Sequence, residues 1–121
     1  LTDRRRKSFG ERVIGDLTGL FPDPDPARHK YLIEKDKYSF YLYDSRLDET
    51  TEKWTKVPVA KFSYLEAERL WQLSWMPPQG RWQKYGRYFD IETAAMVIKG
   101  DPAGCFMGEV SPLAYLKHEK K

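Results

Sequence analysis

Few residues in this chain have the chemistry of a catalyst. Cys105 is the only cysteine, set in the stretch GDPAGCFMGE from Gly100 to Glu109. His29 and His118 are the only imidazoles that could activate it as a nucleophile. His118 lies in a charged tail and His29 is far away in sequence, so neither is placed beside the thiol by local structure. The residues before Gly100 have a helical pattern, which puts the sulfur just past a helix C-terminus. The negative end of the helix dipole disfavours a thiolate there. Cys105 is the sole catalytic candidate, and its stretch reads better as a helix stop from which Cys105 and Phe106 fall back onto the core.

The other site chemistries find less support. One cysteine and two distant histidines do not make a zinc ligand set. Asp44, Asp48 and Glu49 lie close together, but without the glycine and ligand positions of a calcium loop they read as a solvated loop. Neither a G-x-G-x-x-G run nor a lysine-containing phosphate loop occurs, and no carboxylate pair is singled out for acid–base work. The expectation is no metal and no cofactor, which makes a non-enzymatic role the leading one.

Charge and aromatic side chains are the remaining signal. The formal net charge is +3 and the sequence pI about 8.9, just short of the range of committed nucleic-acid binders. Arg4, Arg5, Arg6 and Lys7 form one basic run and residues 117–121 a second. In a first helical turn the arginine run opposes the dipole, so it is either frayed or offset by an anionic partner. Aromatic residues make up 15% of the chain, a level that argues for a packed fold.

These residues need elements to hold them. Phe9, Val13, Leu17 and Leu20, flanked by Ile14 and Phe21, recur at helical spacing, with Thr2 or Asp3 as candidate caps. Gly10, Gly15 and Gly19 weaken that helix. PDPDPAR, residues 22–28, is a stiff connector. From residue 30 to 85 the pattern is that of strands. A hairpin closed over Glu66 to Arg69 sets Tyr64 opposite Trp71, Phe62 opposite Leu73 and Ala60 opposite Trp75, with Ser63–Gln72 and Lys61–Ser74 on the other face. This one register sorts every side chain by polarity. Pro58 marks a bulge or strand entry. A last helix spans about 91–99, with Asp90 as N-cap, Ile91, Ala94, Ala95 and Ile98 as its apolar stripe and Gly100 as its C′ residue. The sum is one α+β domain: an antiparallel meander of about five strands, with an N-terminal and a C-terminal helix packed on one face and a short basic tail.

The blocks from Trp54 onward are more specific than periodicity requires. W-x3-PVAKF-x-Y (Trp54, then Pro58 to Tyr64), LWQLSW (Leu70 to Trp75), RWxxY (Arg81 to Tyr85) and DPAGCFMG (Asp101 to Gly108) resemble a bacterial family known only as domain of unknown function three-zero-two-four. The resemblance is close from Trp54 to Gly108 and looser over the first helix, which is richer in glycine and arginine. It implies a small bacterial domain, no known activity and no established catalytic residues.

Function must therefore come from the surface. One sheet face, bearing Phe62, Tyr64, Trp71, Leu73 and Trp75 beside Tyr31, Ile33, Tyr38, Phe40 and Leu42, is expected under the helices. By alternation the opposite face shows Tyr41, Tyr43, Lys61, Gln72, Ser74, Gln83 and Tyr85. Such a face suits a protein partner or a second copy of the chain. It also suits a nucleic acid, with Arg4 to Lys7 on phosphates and Tyr41, Tyr43 and Tyr85 as stacking groups, or plain solvent. The leading expectation is a protein-interaction or self-association module using this face. Nucleic-acid binding is the first alternative and a small hydrolase the second. No apolar run is long enough for a membrane span, no secretory h-region is present, and a lone cysteine fits a reducing cytoplasm.

Overall fold

The computed structural model describes residues 8–106. Helix α1 (Phe9–Leu20) comes first, followed by strands β1 (His29–Asp36), β2 (Ser39–Asp48), β3 (Lys53–Leu65), β4 (Leu70–Trp75) and β5 (Gln83–Tyr88). Helix α2 (Ile91–Gly100) follows them. Each strand pairs antiparallel with the next, so the sheet order β1-β2-β3-β4-β5 is a meander. The fold is α+β, as expected.

Helix α1 buries Val13 and Leu17 and rests Phe9, Ile14 and Leu20 against the same cluster. Its cap is Ser8. The Ser8 hydroxyl accepts from Glu11 N at 3.2 Å and the Glu11 carboxylate accepts from Ser8 N at 2.9 Å, a reciprocal capping box. Thr2 and Asp3, expected as caps, lie outside the described residues, and the described helix needs neither.

Helix α2 starts at the expected cap: Asp90 Oδ1 accepts from Thr93 N at 2.7 Å. Hydrogen bonds from the Thr93 side chain and backbone hold this carboxyl below its ordinary pKa. Ile91, Ala94, Ala95 and Ile98 are all buried. The end of the helix differs from expectation. Gly100 is its last helical residue, and the left-handed conformation falls on Asp101 at φ 42. A short polar side chain tolerates that conformation when it can bond locally. Asp101 Oδ1 does so by accepting from Phe106 N at 3.0 Å. This bond folds DPAGCF back, so that Phe106 is buried and Cys105 packs half-buried against the core.

In the sheet, β3 and β4 pair Tyr64 with Trp71, Ser63 with Gln72, Phe62 with Leu73 and Lys61 with Ser74, the register expected from polarity. That ladder ends one step short of Ala60 and Trp75. A bulge falls at Pro58, where Leu42 pairs with Ala60 but Tyr43 pairs with Pro58, leaving Val59 as the extra residue. A second bulge interrupts β5: Leu73 pairs with Gly86 and Ser74 with Lys84, leaving Tyr85 over.

The core lies between one sheet face and both helices, around Phe40, Leu42, Phe62, Leu73, Leu17 and Ile98, all fully buried. Phe9 stacks on Trp71 with ring centroids 5.9 Å apart and planes at 11°. Tyr38, expected in this layer, is 49% exposed, with its ring edge-on to Phe9. The proline connector is held by its aspartates, which supply acceptors where prolines supply no donors. Asp23 Oδ1 accepts from Tyr31 N at 3.0 Å, and Asp25 Oδ1 accepts from Ala27 N at 3.2 Å.

Candidate functional site

The sheet face turned away from the helices is the candidate surface. On β2 it begins with Tyr41 and Tyr43, which alternate with the buried Phe40 and Leu42. Across the ladders, Tyr41 faces Lys61 and Tyr43 faces Pro58. The bulge at Val59 then shifts β3 by one residue. Upstream of it the even-numbered Lys56 and Trp54 pair with Ser45 and Leu47 and so join the open face. Without the bulge, parity would put them on the side of Ala60 and Phe62. On β1, Lys30 pairs with Ser45, Leu32 with Tyr43 and Glu34 with Tyr41.

These strands bring three lysines over rings. Lys30 Nζ sits 4.9 Å from the Trp54 ring centroid, Lys56 Nζ 4.4 Å from that of Tyr43, and Lys61 Nζ 5.4 Å from that of Tyr41. Such contacts are worth about 0.5–1 kcal/mol at exposed sites. Trp82 adds a fourth ring, 5.8 Å from Tyr41. Lys56 also donates to the Glu34 carboxylate, which raises its pKa. Burial, reinforced by the Glu34 charge, raises that of the Tyr43 phenol. Beyond β4, Lys84 and Arg87 pair with Ser74 and Gln72 and extend the same face. Cations thus run across the face from β1 to β5, against Glu34 and Asp36 on β1.

The expected site residues divide accordingly. Tyr41, Tyr43, Lys61 and Gln72 share the open face. Tyr85 does not belong to it. As the bulged residue of β5 it escapes the alternation and turns its ring onto Phe106, centroids 4.9 Å apart. Burial, with smaller contributions from the neighbouring Cys105, Tyr88 and Asp101, raises its pKa. Gln83 pairs with Trp75, and the open-face position passes to Lys84. Arg4, Arg5, Arg6 and Lys7 lie outside the described residues, as does His118. Trp54, Lys30, Lys56, Trp82, Lys84 and Arg87 are missing from the alternation reading. Pro58 was the available signal for Trp54 and Lys56, because a bulge there implies a change of face upstream.

Two other groups singled out from the sequence, Cys105 and Asp44, are built into the fold. Burial, aided by the charge of Asp101, pushes the Cys105 thiol up and away from a reactive thiolate. Asp44 corrects the expectation of a solvated loop. Because β2 runs on to Asp48, Asp44 is a strand residue, 3% exposed. It accepts from Arg46 Nε at 3.1 Å and Arg46 Nη2 at 3.3 Å. His29 Nε2 lies 2.9 Å from Asp44 Oδ1 but off the line of an N–H···O bond, so this is a close approach rather than a well-formed hydrogen bond. Among the described residues no group of three or more His, Cys, Asp or Glu could hold a metal ion. None of their helices is long and apolar enough to cross a membrane. On the helix side a cleft of about 310 Å³ opens over Phe9 and Trp71, and Phe89, 87% exposed, stands at its rim.

No curated protein and no solved structure matches the chain. A family model does, over residues 11–108, and its description is Domain of unknown function (DUF3024). That span runs from the first turn of α1 through the sheet and α2 to the DPAGCF turn and beyond, including every block quoted from Trp54 onward. The chain belongs to the DUF3024 family.

Proposed function

We propose that this domain is a binding module, that its contact surface is the open sheet face, and that its partner is an acidic macromolecule. The observation that carries the reading is the row of lysines over aromatic rings, continued by Lys84 and Arg87. A solvated sheet face has no need of Trp54, which stays 42% exposed. Self-association face to face would set the same cations against each other, so the charge favours a partner of opposite sign. Burial raises the Cys105 pKa, which counts against a thiol nucleophile there.

Retention on immobilised heparin, a generic polyanion, tests the surface. A Lys30→Glu/Lys61→Glu/Lys84→Glu variant changes the open face. A Lys35→Glu/Lys53→Glu/Lys99→Glu variant makes the same change of net charge elsewhere. The reading expects the first to elute at much lower salt than the second, with both folded by circular dichroism. Equal elution contradicts it.

A further inference from the structure

We infer that the acidic partner is a single-stranded nucleic acid, an inference that rests on the open face being the contact surface. Cations alone would serve an acidic protein equally well; the rings discriminate. Tyr43, Tyr41 and Trp54 each carry a lysine within 5.4 Å of the ring centroid. Lys30 and Lys61, so placed, swing from ring to phosphate with little reorganisation, whereas Lys56 must first leave the Glu34 carboxylate. The ring each uncovers is then open to a base, while the positive charge stays beside the backbone that carries that base. An acidic peptide would use the charges and leave the rings without a role.

Spacing points to a single strand. Tyr41 and Tyr43 are two residues apart on β2, about 6.6 Å along the strand. That is roughly twice the 3.4 Å rise between stacked bases. Bases seated on successive rings are therefore separated from each other, a state that a single strand reaches readily and a duplex reaches only by unpairing. Among the described residues both helices pack on the opposite sheet face, so neither is on this face to enter a duplex groove. Lys84 and Arg87 on β5 stand three ladders away from Tyr41 and Tyr43, across β3 and β4. They extend the positive track at about 4.8 Å per strand.

Fluorescence anisotropy with labelled 12-mers tests the inference, using single-stranded DNA, single-stranded RNA and the matching duplex, with polyglutamate as competitor. Trp54→Ala and Tyr43→Leu keep the charge and remove a ring. Tighter binding of either single strand than of duplex supports the inference, as does a loss of about tenfold in each ring variant with heparin elution unchanged. It is overturned if duplex binds as well as single strand, if polyglutamate competes as well as unlabelled oligonucleotide, or if folded ring variants bind like the parent. Those outcomes leave the binding surface standing, whereas failure of the lysine variants on heparin removes the surface itself.

Discussion

Asp44 and Cys105 show how position decides what a reactive-looking residue does. Asp44 is nearly buried, and its carboxylate takes both donors of the Arg46 fork beside His29. Because the Arg46 side chain is half exposed, the cost of removing the acid belongs near that of a charge-assisted hydrogen bond, not of a fully buried ion pair. Asp44→Ala is expected to lower unfolding free energy by about 2 kcal/mol in urea titration with an unchanged m-value. For Cys105, burial favours the neutral thiol, so its pKa in the fold exceeds that in the unfolded chain. Its contribution to stability is then full below the unfolded pKa and lost as pH rises through the folded one. Alkylation by iodoacetamide near pH 8 should be slower than for a free thiol, with the midpoint of the rate–pH profile displaced upward. A rate equal to that of the denatured chain would contradict this placement. The distance between Cys105 and its helix end was legible from Gly100 and Pro102; the bond that Asp101 accepts from Phe106 N to set the turn was not, because a carboxylate near a C-cap has several backbone amides within reach.

At the scale of elements, periodicity and polarity located both apolar helix stripes, the five strands and the register of the β3–β4 hairpin. Bulges limited the reading of the surface. A bulge inverts the two-residue alternation on one side of itself, and a sequence announces it only through residues such as Pro58, which lacks a donor, or a glycine within a strand. Beside Tyr85 the marker was Gly86, and alternation alone carried Tyr85 to the wrong face. Pro58 did mark the site, yet its consequence for Trp54 and Lys56 depends on Tyr43 pairing across from it, which is a property of the ladder. Helix α1 offers a test of the balance between propensity and packing. A Cβ added at Gly15 or Gly19 meets nothing within 4 Å, so Gly15→Ala and Gly19→Ala should each stabilise by about 1 kcal/mol in chemical denaturation. Gly10 is different, because the Lys35 side chain lies where its Cβ would go. Gly10→Ala should therefore gain less than the other two. Ser8→Ala, which breaks the capping box, should cost about 1 kcal/mol, and a neutral result would mean that the box is idle in solution.

At the scale of the molecule, the two sheet faces have opposite uses. One is spent on the core beneath α1 and α2; the other gathers Lys30, Lys56 and Lys61 over rings from two strands. A net charge of +3 gives little hint of this, because the sum hides how the charges are distributed. The fold and its buried face were thus far more legible than the surface, where two bulges decide which basic and aromatic residues meet. Binding through the open face should weaken steeply with salt if phosphates meet its cations. The most direct test is a two-dimensional NMR titration of the ¹⁵N-labelled protein with a single-stranded 12-mer. The account predicts that the indole N–H signals of Trp54 and Trp82 and the backbone amides of Tyr41, Tyr43 and Lys61 move, while the indole of Trp71 in the core does not. Shifts confined to the helix-side cleft around Phe89, or no shifts at low salt, would contradict it.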